Sequence, residues 1–158
     1  DASRAASCQD AGLDVRTTPL ELLPADLKFD LVVIDNVLEH VIDPVGLLNT
    51  AQAFLGDGGR LVVVVPNRKD IRSHVPSWSR KHLWTPRVHV NYFTGATLKD
   101  ALVRSGLEPE HVPGATFAGT GSLSRRLVGY LNGAGIYPFG IYMAAKLNRP
   151  GSDEDSFS

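Results

Sequence analysis

The sequence predicts an α/β fold built on a mostly parallel sheet, and three observations carry that expectation. Two short apolar runs, residues 31–34 (LVVI) and 61–65 (LVVVV), are rich in β-branched side chains and do not alternate, as strands covered by helices on both faces do. Between them Val45, Leu47, Leu48, Ala51 and Leu55 recur at helical spacing. Asp43 is a good N-cap with Pro44 at the first helical position, and the GDGG run at 56–59 ends the pattern. Residues 29–67 therefore read as one crossover of strand, acidic turn, helix, glycine turn and strand.

The flanking elements follow from local signals. Residues 3–11 read as a helix with Ser3 as its cap and Gly12 as its stop, and residues 13–16 as a short strand. Residues 19–28 are loop. Residues 68–88 are too long for an ordinary connection and carry Pro76, Pro86, Trp78, Trp84, His74 and His82, which marks a functional lid or substrate loop. Residues 94–105 form a helix stopped by Gly106, residues 107–112 a strand, 123–131 a helix and 141–147 a closing strand. The acidic, small and polar tail, residues 151–158, is expected to be disordered.

Composition excludes several function classes. At 158 residues and 43% hydrophobic content the chain suffices for one core. A net charge of -1 supplies no global field toward nucleic acid or anionic membrane. Arg68, Lys69, Arg72, Arg80, Lys81 and Arg87 concentrate in the long loop, where a solvated lid is the better reading than a stacking surface for nucleic acid. The single cysteine, Cys8, forbids an internal disulfide and suits a reducing cytoplasm. Residues 127–145 lack charge, yet Gly129, Asn132, Gly133, Gly135, Pro138 and Gly140 break them up, so no membrane span is expected. No His/Asp/Glu spacing resembles a metal site, and no metal is expected.

The blocks FDLVVIDNVLEHVIDP and LGDGGRLVVVVPN, followed by HVNYFTGATLKDALVRSGLE, resemble the second half of a class I S-adenosylmethionine-dependent methyltransferase. The resemblance spans residues 1–150 and is strongest over 29–107. It implies a Rossmann-like sheet of order 3-2-1-4-5-7-6 with an antiparallel last strand, and S-adenosylmethionine as cofactor. The family's glycine-rich turn after the first strand has no counterpart, so the expected domain is N-terminally truncated, with Asp1 at the position of the ribose-binding carboxylate. The strand at 29–34 would then present an unpaired apolar edge, a hazard for association. Either residues upstream complete the sheet, or the chain alone is marginally stable.

Ligands of open α/β sheets bind beyond the carboxyl ends of the strands, here Asp35 and Asn36 after one strand and Pro66 and Asn67 after the next. Each has a plainer reading as turn chemistry, and strand-end position favours a site role for Asp35 and Asn36. Leu20 falls where the family's adenine-contacting loop lies, although the acidic residue usual just before it is Pro19 here. Glu39 and His40 match the family's EH pair, in which His40 serves as a catalytic base or as a structural tie to the next helix. His89, in VHVNYF with Tyr92, falls where the family places a substrate-side residue; a neutral imidazole suits a base near pH 7, and packing beneath the lid competes with that role. Trp78 and Trp84 suit the walls of an acceptor pocket, the reading preferred here over a contact in a homodimer or a hydrophobic clamp.

The expected activity is methyl transfer to a small-molecule acceptor, such as a sugar or glycan intermediate. Two other classes compete. The missing glycine turn favours a non-catalytic methyltransferase-like module for binding or oligomerisation. A nucleotide-dependent oxidoreductase would share the crossover but not the EHVIDP and HVNYF blocks.

Overall fold

A computed structural model of the chain describes residues 2–74, 88–110 and 140–148. Its sheet has four strands in the order β1-β2-β4-β3. Strand β1 (Phe29–Asp35) runs parallel to β2 (Leu55–Pro66), while β4 (Gly140–Leu147) is antiparallel to both β2 and β3 (Leu107–Glu110). This is the 4-5-7-6 portion of the expected order, closing strand reversed. The sheet among the described residues is mixed, with one parallel and two antiparallel pairings.

Helix α2 (Pro44–Gln52) links β1 to β2 and starts as its cap predicts: Asp43 accepts from the Gly46 amide at 2.9 Å. It ends at Gln52 rather than running to Leu55. Leu55 opens β2, where it pairs with Phe29 and is buried. The GDGG run is thus not a helix stop but an irregularity inside β2, between the Phe29 and Leu31 pairings. Gly58 has φ +74°, and a Cβ on Gly59 would lie 2.8 Å from the Phe29 carbonyl oxygen, so the close strand crossing needs glycine there.

Helix α3 (Gly95–Arg104) begins with a reciprocal cap between Thr94 and Thr97 and is followed by Gly106 at φ +77°. Its Leu98, Ala101 and Leu102 meet Leu48 and Ala51 of α2 over one face of the sheet. That face carries Ile34, Leu61, Val63, Val65, Ile141, Met143 and Ala145, all buried. Burial of each large side chain contributes about 1.5–3 kcal/mol.

The opposite face corrects the expectation of two-sided cover. Leu31 and Val33 are more than half exposed, and further across it Arg60 pairs with Glu110 at 2.9 Å while Lys146 lies 3.4 Å from Glu108. Strand β1 is an edge of the described sheet, as the sequence led us to expect.

Helix α1 (Ala2–Asp10) contains Ser3 in its first turn instead of being capped by it. Residues 13–16 form no strand. The Leu13 amide donates to the Cys8 carbonyl, and the Gln9 side chain donates to the Val15 carbonyl, so the segment is tied to the end of α1 and not to a ladder. Leu13 is correspondingly exposed. Within 19–28 the chain makes a short 3-10 turn, Leu20–Leu22. The helix expected at 123–131, the tail, and Asp1, Trp78 and Trp84 lie outside the described residues.

Candidate functional site

Two turns leave the carboxyl ends of β1 and β2 side by side. In the first, Asn36 has φ 51°, a left-handed backbone that asparagine tolerates better than most residues. Its amide donates to the Val64 carbonyl at 2.9 Å, and its side-chain nitrogen donates to Asp35 Oδ1 at 2.7 Å. Both side chains stay exposed at the strand end. The reversal feeds a 3-10 turn, Leu38–His40, which drives Leu38 into the core, buries Glu39 and leaves His40 at the surface.

A second segment, residues 88–93, is laced to this turn. The Glu39 carbonyl accepts from the Val90 and Asn91 amides at 2.9 and 3.0 Å, and the Asn91 side chain donates to the Val41 carbonyl at 2.6 Å. His40 Nδ1 lies 2.8 Å from the Val88 carbonyl. A carbonyl only accepts, so Nδ1 carries the hydrogen, and in the neutral ring the lone pair sits on Nε2. That Nε2 is 3.6 Å from Glu39 Oε1. The His89 ring packs against His40 at 4.8 Å between centroids, and Tyr92 lies 6.2 Å from His89 in an edge-on arrangement. Glu39 is 2% exposed, and its Oε2 has no hydrogen-bond partner among the described residues.

The second turn is built differently. Asn67 is buried; its Oδ1 accepts from the Lys69 amide at 3.0 Å, its carbonyl accepts from Asp70, and it bridges to Phe93. Asp70, 3% exposed, accepts from the Arg72 amide at 2.8 Å and from the Arg72 guanidinium at 2.9 and 2.6 Å. The fork geometry makes this a strong charge-assisted pair.

Of the residues the sequence singles out, Asp35, Asn36, His40, His89 and Tyr92 lie on the first turn and the segment laced to it. Asn67 is buried, with its Oδ1 in the turn, and Leu20 is partly buried against the core. Arg72, counted in the sequence among solvated lid cations, is engaged by Asp70. The structure adds Glu39 to the cluster: the ligand atoms of Glu39, His40 and His89 all lie within 4.8 Å of one another. No sequence spacing announces that grouping, because His89 arrives from a separate segment pinned by backbone hydrogen bonds. Tyr142 was also missed. It sits across β2 from Asp35 through Val64, and its pKa is raised above 10.0 by burial and, secondarily, by the Asp35 charge.

Comparisons with known proteins bear on the family and the fold. A family model described as a methyltransferase domain matches residues 1–112. No curated protein matches the chain. Among solved structures, an S-adenosylmethionine-dependent methyltransferase from Mesorhizobium loti is 22% identical with a TM-score of 0.58, covering 92% of this chain and 76% of that one. A SAM-dependent methyltransferase from Thermotoga maritima is 18% identical with a TM-score of 0.57, covering 91% and 69%. A chain from the complex of the Haloferax volcanii Trm112 methyltransferase activator with a methyltransferase is 14% identical at a TM-score of 0.54, covering 89% and 66%. The chain thus spans about two thirds to three quarters of these structures. These likenesses establish the fold, and with the match over residues 1–112 the chain belongs to the methyltransferase domain family, whose cofactor is S-adenosylmethionine.

Proposed function

We propose that the protein transfers a methyl group from S-adenosylmethionine to a small-molecule acceptor at the carboxyl ends of β1 and β2. The observation that carries this reading is that the single turn leaving β1 bears both the exposed Asp35–Asn36 pair and His40, against whose ring His89 packs. The cofactor's sulfonium supplies the reactivity, so the protein's part is positioning, water exclusion and proton handling. Asp35 fits a donor-bearing ligand: its carboxylate is exposed, and Asn36 Nδ2 satisfies only Oδ1 by the bond described. Asn36, turned left-handed, leads the chain out of β1 into the turn that carries His40, and its side chain is exposed. His40, its Nδ1–H held by Val88, offers Nε2 as a proton acceptor, and His89 stands on the acceptor side beside it.

The acceptor class follows from the lack of a basic field and from the style of the EHVIDP and HVNYF blocks, which favour a small metabolite, sugar or glycan intermediate over nucleic acid. In this reading residues 1–150 are a partial methyltransferase domain with 68–88 as its substrate loop. No helix among the described residues is long and apolar enough to cross a membrane, and with one cysteine a reducing cytoplasm suits the chain.

Calorimetric titration with S-adenosylhomocysteine tests the reading. In a protein whose upstream residues complete the sheet, saturable binding is expected, weakened about tenfold or more by Asp35→Ala through loss of a charge-assisted hydrogen bond. Absence of binding by that folded protein, or binding indifferent to Asp35→Ala, would overturn it.

A further inference from the structure

Glu39 poses a problem that hydrogen bonding within the described residues does not solve. An ionised carboxylate buried to 2% exposure is costly unless paired, and this one has an Oε2 without a partner and an Oε1 whose neighbour, His40 Nε2, is at 3.6 Å. The nearest donor, His40, spends its Nδ1 hydrogen on the Val88 carbonyl at 2.8 Å. The facing His40 Nε2, at 3.6 Å from Oε1, is too distant for a hydrogen bond, so a cation standing between the two groups would satisfy the buried carboxylate and engage the ring nitrogen together.

We propose that Glu39, His40 and His89 form a binding site for a divalent transition-metal cation. Their ligand atoms lie within 4.8 Å of one another, and ligands about 2.0–2.2 Å from a common ion stand some 3–4 Å apart, so modest side-chain rotation closes the site. The hydrogen bond from His40 Nδ1 to a backbone carbonyl is the outer-shell contact that fixes the tautomer and aim of a metal-ligating histidine. Two imidazoles and one carboxylate suit zinc, iron(II), cobalt(II) or manganese(II) better than calcium or magnesium, which prefer oxygen. The backbone also prepares the site: the Glu39 carbonyl receives both the Val90 and Asn91 amides, which holds the His89 segment against the Glu39 turn.

Three protein ligands leave coordination positions open, and His40 is partly exposed, so a ligand can reach the ion from outside. Resting on the proposed methyl transfer, the site narrows the acceptor to an oxygen nucleophile, a hydroxyl or phenol with a neighbouring oxygen able to chelate. Coordination acidifies the hydroxyl, whose proton leaves to solvent. The oxygen's electron pair then forms the new bond to the methyl carbon while the carbon–sulfur pair departs with sulfur, so charge and atoms balance. His40 and His89 would serve as ligands in that event, and proton removal would fall to the ion.

The test is a cobalt(II) titration of the untagged protein, followed by the visible absorption of the bound ion, in the wild type, Glu39→Gln, His89→Ala and the control His74→Ala. One equivalent is expected to bind to the wild type and to His74→Ala alike, with affinity reduced at least about tenfold in the other two. Circular dichroism establishes that each variant is folded, and the partly exposed His89 makes His89→Ala the variant least prone to unfolding. Failure of the folded wild type to bind, or equal binding by all four proteins, would overturn the site. S-adenosylhomocysteine titration of the metal-free protein, set beside the chelator-free cobalt titration, separates the two proposals: cofactor binding without cobalt binding removes the metal site alone, and the reverse removes the methyl-transfer reading alone.

Discussion

The turns that leave β1 and β2 each bury a carboxylate, and they treat it in opposite ways. Asp70 is held by the Arg72 guanidinium and by a backbone amide. Glu39, equally buried, keeps an oxygen with no partner among the described residues and lies 3.6 Å from the His40 ring nitrogen. A satisfied buried carboxylate stabilises its turn. An unsatisfied one costs stability, and such costs collect where a ligand is bound. The β2 turn thus holds its buried carboxylate with protein donors, whereas the β1 turn carries the residues to which the proposed site is assigned.

Substitution is the most forceful way to break this contrast. Asp70→Ala is expected to destabilise the fold by about 2–3 kcal/mol, since it removes the charge-assisted bonds from Arg72 to a buried carboxylate. Glu39→Gln, which removes charge but keeps shape, is expected to change stability by less than about 1 kcal/mol. Denaturant midpoints of the two variants decide it; equal losses would make Glu39 as structural as Asp70. A smaller effect sharpens the same comparison at Asn36. Its left-handed backbone makes Asn36→Ala cost about 1 kcal/mol, whereas Asn36→Gly costs little, and the same pair of denaturation curves reads both.

The smallest expected effect lies in titration. Tyr142 ionises above its ordinary value, first because it is buried and second because of the Asp35 charge. The fold therefore favours the neutral phenol; its contribution is complete below pH 10.0 and is lost as pH rises through the higher folded pKa. Asp35→Asn is expected to lower that pKa part of the way, leaving it above the ordinary value, in an ultraviolet titration referenced to Tyr142→Phe. No movement would mean that Asp35 and Tyr142 do not share the strand-end field.

Much of the fold was legible because local chemistry and tertiary demand agree. Asp43 and Pro44 begin α2, Gly106 ends α3, and the β-branched runs are β1 and the buried part of β2. Reading failed where pairing overrode local pattern. Leu55 keeps helical spacing yet joins β2, because Phe29 offers it a ladder partner. Leu13 to Arg16 has strand composition but no described strand to pair with. The candidate site was half legible. Strand-end position points to Asp35 and Asn36, the EH and HVNYF blocks point to His40 and His89, and the structure packs the two imidazoles together. Their assembly with Glu39 depends on hydrogen bonds between segments some 50 residues apart, of which the His40–Val88 and Asn91–Val41 contacts are examples. Burial of Glu39 without a partner is likewise a property of three dimensions.

The most direct measurement is a proton–nitrogen correlation spectrum of the protein recorded with and without S-adenosylhomocysteine. The expected result is displacement of the amide signals of Asp35, Asn36 and His40, with those of Gly106 and Leu107 unmoved. Saturation of the protein with the Asp35 and Asn36 signals in place, or shifts confined to the turn at Asp70, would contradict the assignment of the working site to the end of β1.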